Sequence, residues 1–285
     1  MLDIQQSLDP AGRTAGSPES LKMRIALFVP CYVDQLRPEV GLAALDVLDA
    51  FGFDIVYPEE QTCCGQAFLT AGERRRARSL GQHFVDVFEG FDEIVSLSGS
   101  CAATVRRQLP LLVPGSRAEE VAGRTREFCE FLVGHGVATK PLGRFVSRVG
   151  LHSSCHALRE LRLGNPSETR EPERVDPAKS LLSSIDELEI VDLTRPDECC
   201  GFGGMFSVEE EAVSCRMGLD RLADHRAAGA DVIASTDISC LLHLDGLAKK
   251  KGYDFRAMHV AEILASSLRE ATATAKVDGA ANGPR

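Results

Sequence analysis

Apolar residues in this chain gather in short unbroken runs that stop at turn formers. RIALFVPC (Arg24–Cys31), DIVYP (Asp54–Pro58) and DEIVSLSGSC (Asp92–Cys101) lie in the first half. RVGLHSSC (Arg148–Cys155), EIVDL (Glu189–Leu193) and DVIASTDISC (Asp231–Cys240) lie in the second. Runs of this length, rich in β-branched residues and bounded by turns, predict strands buried on both faces, as in a parallel sheet. Between them the apolar period changes. Val40, Ala44, Val47, Leu48 and Phe51 recur at helical spacing, and so do Leu80, Phe84, Val87, Phe88 and Phe91. These predict amphipathic helices laid on a sheet. Each half therefore reads strand, helix, strand, helix, strand, helix, an α/β order that implies a parallel sheet covered on both faces.

The halves also repeat one another. RIALFVPC matches RVGLHSSC in register, and DEIVSLSGSC matches DVIASTDISC. The expected organisation is two tandem pseudo-symmetric parallel-sheet units over 23–147 and 148–268, flanked by disordered tails over 1–22 and 269–285. The two sheets are expected to face each other across a pseudo-two-fold axis.

Composition narrows the function. The chain has 285 residues and a formal net charge of −10, which argues against a nucleic-acid or anionic-membrane partner. No apolar run approaches the roughly 18 residues that span a bilayer. The first residues lack the basic and apolar regions of a secretory signal, so the expected compartment is the reducing cytoplasm, where thiols stay free. There is no Walker loop, no GxSxG and no HExxH, and GFGG (Gly201–Gly204) lacks the fuller dinucleotide fingerprint.

Ten cysteines are the unusual feature. Without Cys129 and Cys215 the rest form two sets with one pattern: Cys31, Cys63, Cys64 and Cys101, then Cys155, Cys199, Cys200 and Cys240. Each adjacent pair is followed by glycine. Each set falls just past strand ends, the edge where open α/β sheets bind ligands. Four thiols at one rim, near helix N-termini, suit an anionic metal centre. Four thiolates can hold a 4Fe–4S cluster or a tetrahedral zinc ion. An adjacent pair can instead form a strained disulfide that acts as a thiol redox switch. His152 takes the place of Phe28 and is expected to be half-buried. His156 follows a candidate ligand and reads as a solvated first-turn residue, or as a hydrogen-bond partner of the cluster. The run ERRRAR (Glu73–Arg78) reads as a solvated helix face. Cys129 and Cys215 sit at helical spacing among apolar residues and are expected to be buried core thiols.

The doubled Cys-Cys-Gly layout from Arg24 to Leu268 resembles the cysteine-rich CCG domain found in heterodisulfide reductase and in anaerobic glycerol-3-phosphate dehydrogenase. The two-copy chain without a ferredoxin-type cysteine run is most similar to the lactate utilization protein A family. That resemblance implies iron–sulfur binding by the eight cysteines and an electron-transfer role in oxidising L-lactate to pyruvate. It also implies two companions, a ferredoxin-like iron–sulfur subunit and a third lactate-utilization subunit. The family's fuller pattern closes each set with C-x₂-C. Here Ser98 and Asp237 stand at the first position of that pair, leaving four thiols per set, with Asp237 a candidate oxygen ligand.

Overall fold

The computed structural model describes residues 23–281, with side chains to residue 270. Among these residues are two four-stranded sheets in which every pairing is parallel. The first contains β1 (Ile25–Phe28), β2 (Ile55–Val56), β3 (Glu93–Ser96) and β4 (Thr125–Glu127) in the order β2-β1-β3-β4. The second contains β5 (Arg144–Leu151), β6 (Asp186–Ile190), β7 (Val232–Ser235) and β8 (Arg256–His259) in the order β6-β5-β7-β8. The same order in both sheets is the structural form of the sequence repeat.

Strand periodicity divides the first half's core. Ile25, Leu27 and Val95 face a large cluster shared with the second half, whereas Ala26, Phe28 and Ile94 face the first half's own outer cluster. The outer cluster is built on the helix Arg74–Phe88, which buries Phe84, Val85 and Phe88. Burying each such side chain stabilises by about 1.5–3 kcal/mol. Helix Pro38–Ala50 opens on proline at its first position, where the missing N–H costs nothing. It buries Val40, Ala44, Val47 and Leu48, as the spacing requires.

The halves are joined through their core. The last helix, Val260–Ala281, packs both on Pro38–Ala50 of the first unit and on β5 of the second. Ion pairs Arg37–Glu262 (3.3 Å) and Arg269–Asp46 (3.0 Å) edge that contact. No described helix is long and apolar enough to cross a membrane.

Several expectations need correction. Each sheet has a fourth strand, β4 or β8, that the apolar runs did not announce. The strand expected at Glu189–Leu193 lies three residues earlier, as β6. The division expected between 147 and 148 falls inside β5, which pairs with β6 from Arg144 onward. The tail expected from residue 269 begins inside the last helix, which continues to Ala281. The tail expected over 1–22 lies outside the described residues. Cys215, expected to be buried, is only half-buried, and Val208, seven residues before it, lies in a separate short helix and is exposed. The buried face of helix Glu211–Ala227 instead carries Ser214, Gly218, Arg221, Leu222, Asp224 and His225.

Candidate metal centre

The backbone places each cysteine set at the C-terminal ends of its strands. Cys31 opens the short helix after β1, and Cys101 lies in the first turn of Gly99–Ala103 after β3. Cys155 follows β5, and Cys240 lies in the first turn of Ile238–Lys251 after β7. The adjacent pairs come from loops that reach the same edge. The two edges meet, so all eight thiols line one cavity of about 250 Å³ between the halves. Sequence pattern suggested one rim per half; the structure joins the rims.

Within the first set Cys31 Sγ is 3.8 Å from Cys63 Sγ, and Cys64 Sγ is 3.3 Å from Cys101 Sγ. Cys63 is held far below the usual thiol range, at about 3, by hydrogen bonds from Cys31 and Cys64 and from the Gly65 N–H. Cys31 and Cys64 move up, chiefly because each donates its S–H to a neighbouring sulfur, of Cys63 and of Cys101, and would lose that bond on ionising. The second set repeats this. Cys199 is lowered to about 2 by Cys155, Cys200 and the Gly201 N–H, while Cys155 and Cys200 are raised by their thiol neighbours. Thiols crowded this closely cannot all ionise alone. A cation shared among them removes the repulsion, and soft thiolates select zinc or iron–sulfur clusters.

The loops after the pairs are shaped for this. Gly65 and Gly201 take left-handed φ values of 85° and 87°, which turn their N–H groups onto Cys63 Sγ (3.4 Å) and Cys199 Sγ (3.3 Å). Phe202 N lies 3.5 Å from Cys200 Sγ. A Cβ at Gly201 would lie 2.6 Å from the Ser214 carbonyl, so no larger residue fits without moving that helix. The donor set, the N–H groups aimed at sulfur and the shared cavity together fit a thiolate-held cluster.

Asp237 is not free to act as a ligand. One of its oxygens accepts from Ser100 N (2.9 Å) and Ser154 Oγ (3.2 Å), and the other from Ser239 N and Oγ at the head of its own helix. It therefore pins segments of both halves together at the cavity. Ser98 likewise caps the helix that carries Cys101. Ser98 and Asp237, at the first position of each C-x₂-C pattern, are thus helix caps.

His152 is fully buried, not half-buried. Its Nδ1 accepts from Arg221 Nε at 3.1 Å. With Cys200 and Cys240 it forms a compact group whose candidate ligand atoms lie within 4.8 Å of one another. Burial and the Arg221 charge hold its pKa down, to about 3. His156 is half-buried and bridges the halves, with Nδ1 3.6 Å from Cys155 Sγ and Nε2 3.1 Å from the Gln66 amide. The ERRRAR arginines are exposed, as a solvated face requires. Sequence reasoning missed Tyr32 and Phe202, which meet edge to face with ring centroids 5.9 Å apart at the cavity mouth. Tyr32 directly follows Cys31, and Phe202 lies two residues after Cys200 in GFGG; an aromatic within two residues of a candidate thiol was the available signal.

A family model described as a cysteine-rich domain matches residues 25–106 and again 149–245. The chain is 34% identical over 253 residues to the protein named lactate utilization protein A from an Exiguobacterium strain, covering 87% of this chain and 99% of that one. It is 32% identical over 246 residues to the protein of the same name from Halalkalibacterium halodurans, covering 85% and 96%. Among solved structures it aligns with glutamate racemase from Francisella tularensis at 12% identity and a TM-score of 0.35, covering 90% of this chain and 82% of that one. A putative Asp/Glu racemase from Yersinia pestis aligns at 12% identity and a TM-score of 0.33, covering 88% and 100%.

Proposed function

The chain belongs to the lactate utilization protein A family, with two cysteine-rich domains, and from that membership we propose that it is an iron–sulfur electron-transfer subunit serving the oxidation of L-lactate to pyruvate. The observation that carries this reading is the convergence of eight thiols from both halves on one cavity. Cys31, Cys63, Cys64 and Cys101 hold one centre, and Cys155, Cys199, Cys200 and Cys240 the other. A cluster bound there supplies one-electron transfer, at a potential set by charge, hydrogen bonding and exposure. The protein's part is to position and tune. Gly65, Gly201 and Phe202 direct N–H groups at sulfur, and Cys64, Cys101, Cys200 and Cys240 are buried against water. Tyr32, Phe202 and Gln66 line the same cavity.

Turnover requires companions: a ferredoxin-like iron–sulfur subunit and a third lactate-utilization subunit, in the reducing cytoplasm. The isolated chain is expected to be inactive with lactate and an artificial acceptor, and lactate turnover by the homogeneous chain would refute that dependence. Iron and acid-labile sulfide in anaerobically purified protein, with electron paramagnetic resonance on reduction, test the cluster reading. Cys31 Sγ and Cys63 Sγ, 3.8 Å apart, have the spacing of two thiolates on one tetrahedral zinc ion, and this favours a second reading, a zinc-bound structural or assembly subunit. Colourless protein with stoichiometric zinc and no iron would establish that reading in place of the first.

A further inference from the structure

The two cysteine sets look alike, but the atoms beneath them differ. Under the second set lies His152, whose Nε2 is buried without a hydrogen-bond partner among the described residues. Its other ring nitrogen is committed. Arg221 can only donate, and its Nε–H points at His152 Nδ1 across 3.1 Å. Arg221 is itself locked in place. It is fully buried, pairs with Asp224 (3.2 Å), and also donates to the backbone carbonyls of Arg195, Pro196 and Leu151. Nδ1 therefore carries the lone pair, and the single proton of the neutral ring sits on Nε2. A nitrogen that carries its proton cannot ligate a metal, but it can donate. The ring belongs to the compact group with the sulfurs of Cys200 and Cys240.

We infer that His152 donates a hydrogen bond from Nε2–H to the sulfur of the second centre and so sets its reduction potential above that of the first. This deepens the cluster reading and rests on it. A donor near cluster sulfur stabilises the more negative, reduced form. At the matching position the first half has Phe28, packed edge-on against Phe84 and Phe88, which offers no donor. His152 is thus a positioning residue that acts on sulfur, and the two centres are inequivalent. An electron that enters the molecule settles on the second centre first.

Two measurements test this. In the metal-free chain, nitrogen-15 chemical shifts of His152 are expected to report the Nε2–H tautomer; the Nδ1–H tautomer overturns the inference without touching the cluster reading. In loaded protein, redox titration followed by electron paramagnetic resonance is run on Cys64→Ser, which leaves only the second centre, with and without His152→Phe. The Phe change is expected to lower the equilibrium constant for reduction about tenfold, which corresponds to about 59 mV for one electron. His152→Gln, which keeps an N–H at similar reach, is expected to restore most of the shift. If Phe alone fails to fold above a buried Arg221, the double change His152→Phe with Arg221→Met replaces the pair by apolar groups and is read in the same way. An unshifted potential with iron retained overturns the inference alone. A wild-type chain with no iron defeats the cluster reading, and the inference falls with it.

Discussion

Beneath β1 of the first unit, Phe28 meets Phe84 and Phe88, with ring centroids 5.0 and 5.7 Å away. Beneath β5 of the second, His152 meets Arg221, four residues before His225 on its helix as Phe84 is before Phe88. The sheets share a strand order and the thiols share their places, yet an aromatic wedge in one unit is a charged network in the other. The backbone has adapted to the exchange. Gly150 stands where the first half has Ala26, and a Cβ there would lie 2.2 Å from His225 Nδ1. The comparison teaches that duplication preserved what the thiols require and left the layer beneath them free to diverge. Apolar packing stabilises and adds nothing to the field at the thiols. A buried network has a desolvation cost, recovered only when every member is satisfied, and it changes the electrostatics of the site above it.

The largest effects come from breaking one unit's thiols and leaving the other's. Cys64→Ser should remove the iron of the first centre and Cys200→Ser that of the second, each leaving roughly half, since serine oxygen is a poorer cluster ligand. Because both sets open onto one cavity, this is also the sharpest test of two centres against one. Loss of all iron in either single mutant would mean a single shared centre. Next in size are the buried wedges. Phe84→Ala should cost about 3–5 kcal/mol through the cavity it leaves. Arg221→Ala should cost a similar 3–5 kcal/mol for a different reason, the uncompensated Asp224 carboxylate. Denaturant unfolding measures both, and a cost below about 1 kcal/mol for Arg221→Ala would show that the network is not a closed ion-paired unit.

Smaller, and opposite in sign, are the responses of the two units to pH. His225 is buried with both ring nitrogens unpartnered among the described residues, and burial depresses its pKa from 6.5 to about 2. Its contribution is complete above 6.5 and is lost as pH falls, at up to about 1.4 kcal/mol per pH unit. Glu127, which caps the helix after β4, is raised by burial from 4.5 to about 8. Its contribution is complete below 4.5 and is lost as pH rises towards 8. Hydrogen exchange should therefore show β5 and β7 losing protection first as pH falls below 6.5, and β3 and β4 first as pH rises from 4.5 towards 8. The reverse order would break the comparison.

What could be read from sequence follows the same division. The strands that carry cysteines were visible because a doubly buried strand must be continuously apolar, and because the repeat aligns them. β4 and β8 were not, since Thr125-Arg126-Glu127 and Arg256-Ala257-Met258-His259 contain no such run and join their sheets as edge strands through backbone pairing. β6 was displaced because Asp186-Glu187-Leu188-Glu189-Ile190 alternates, while the apolar run continues beyond its end. The two thiol sets were visible, but their meeting at one cavity was not. That depends on the last helix crossing to Pro38–Ala50, a contact between segments more than two hundred residues apart. His152 was read by analogy with Phe28. Its true surroundings depend on Arg221, a residue that spacing alone marks as solvent-facing.

The smallest expected effect concerns the two cysteines without a counterpart in the repeat, one in each unit. Cys129 is fully buried on the helix Phe128–Gly134, against Phe128, Phe131 and Leu132, and the Glu127 cap fixes its turn by accepting from the Cys129 N–H at 2.9 Å. Burial also drives its thiol pKa well up, so it is inert at neutral pH. Cys129→Ala should cost about 1 kcal/mol, the removal of one buried heavy atom with partial collapse around it. Cys215 packs against the core from the side of its helix and is only half-buried. A side chain that solvent already reaches leaves little cavity when shortened, so Cys215→Ala should fall within about 0.5 kcal/mol of the wild type. Neither lines the shared cavity, so both should keep their full iron content. Iron per chain and unfolding midpoints of the two variants decide the matter together. A midpoint shift without iron loss at Cys129, and neither at Cys215, marks both as bystanders. Iron loss from either would add a ninth thiol to the sites and show that the repeat alone does not select the ligands.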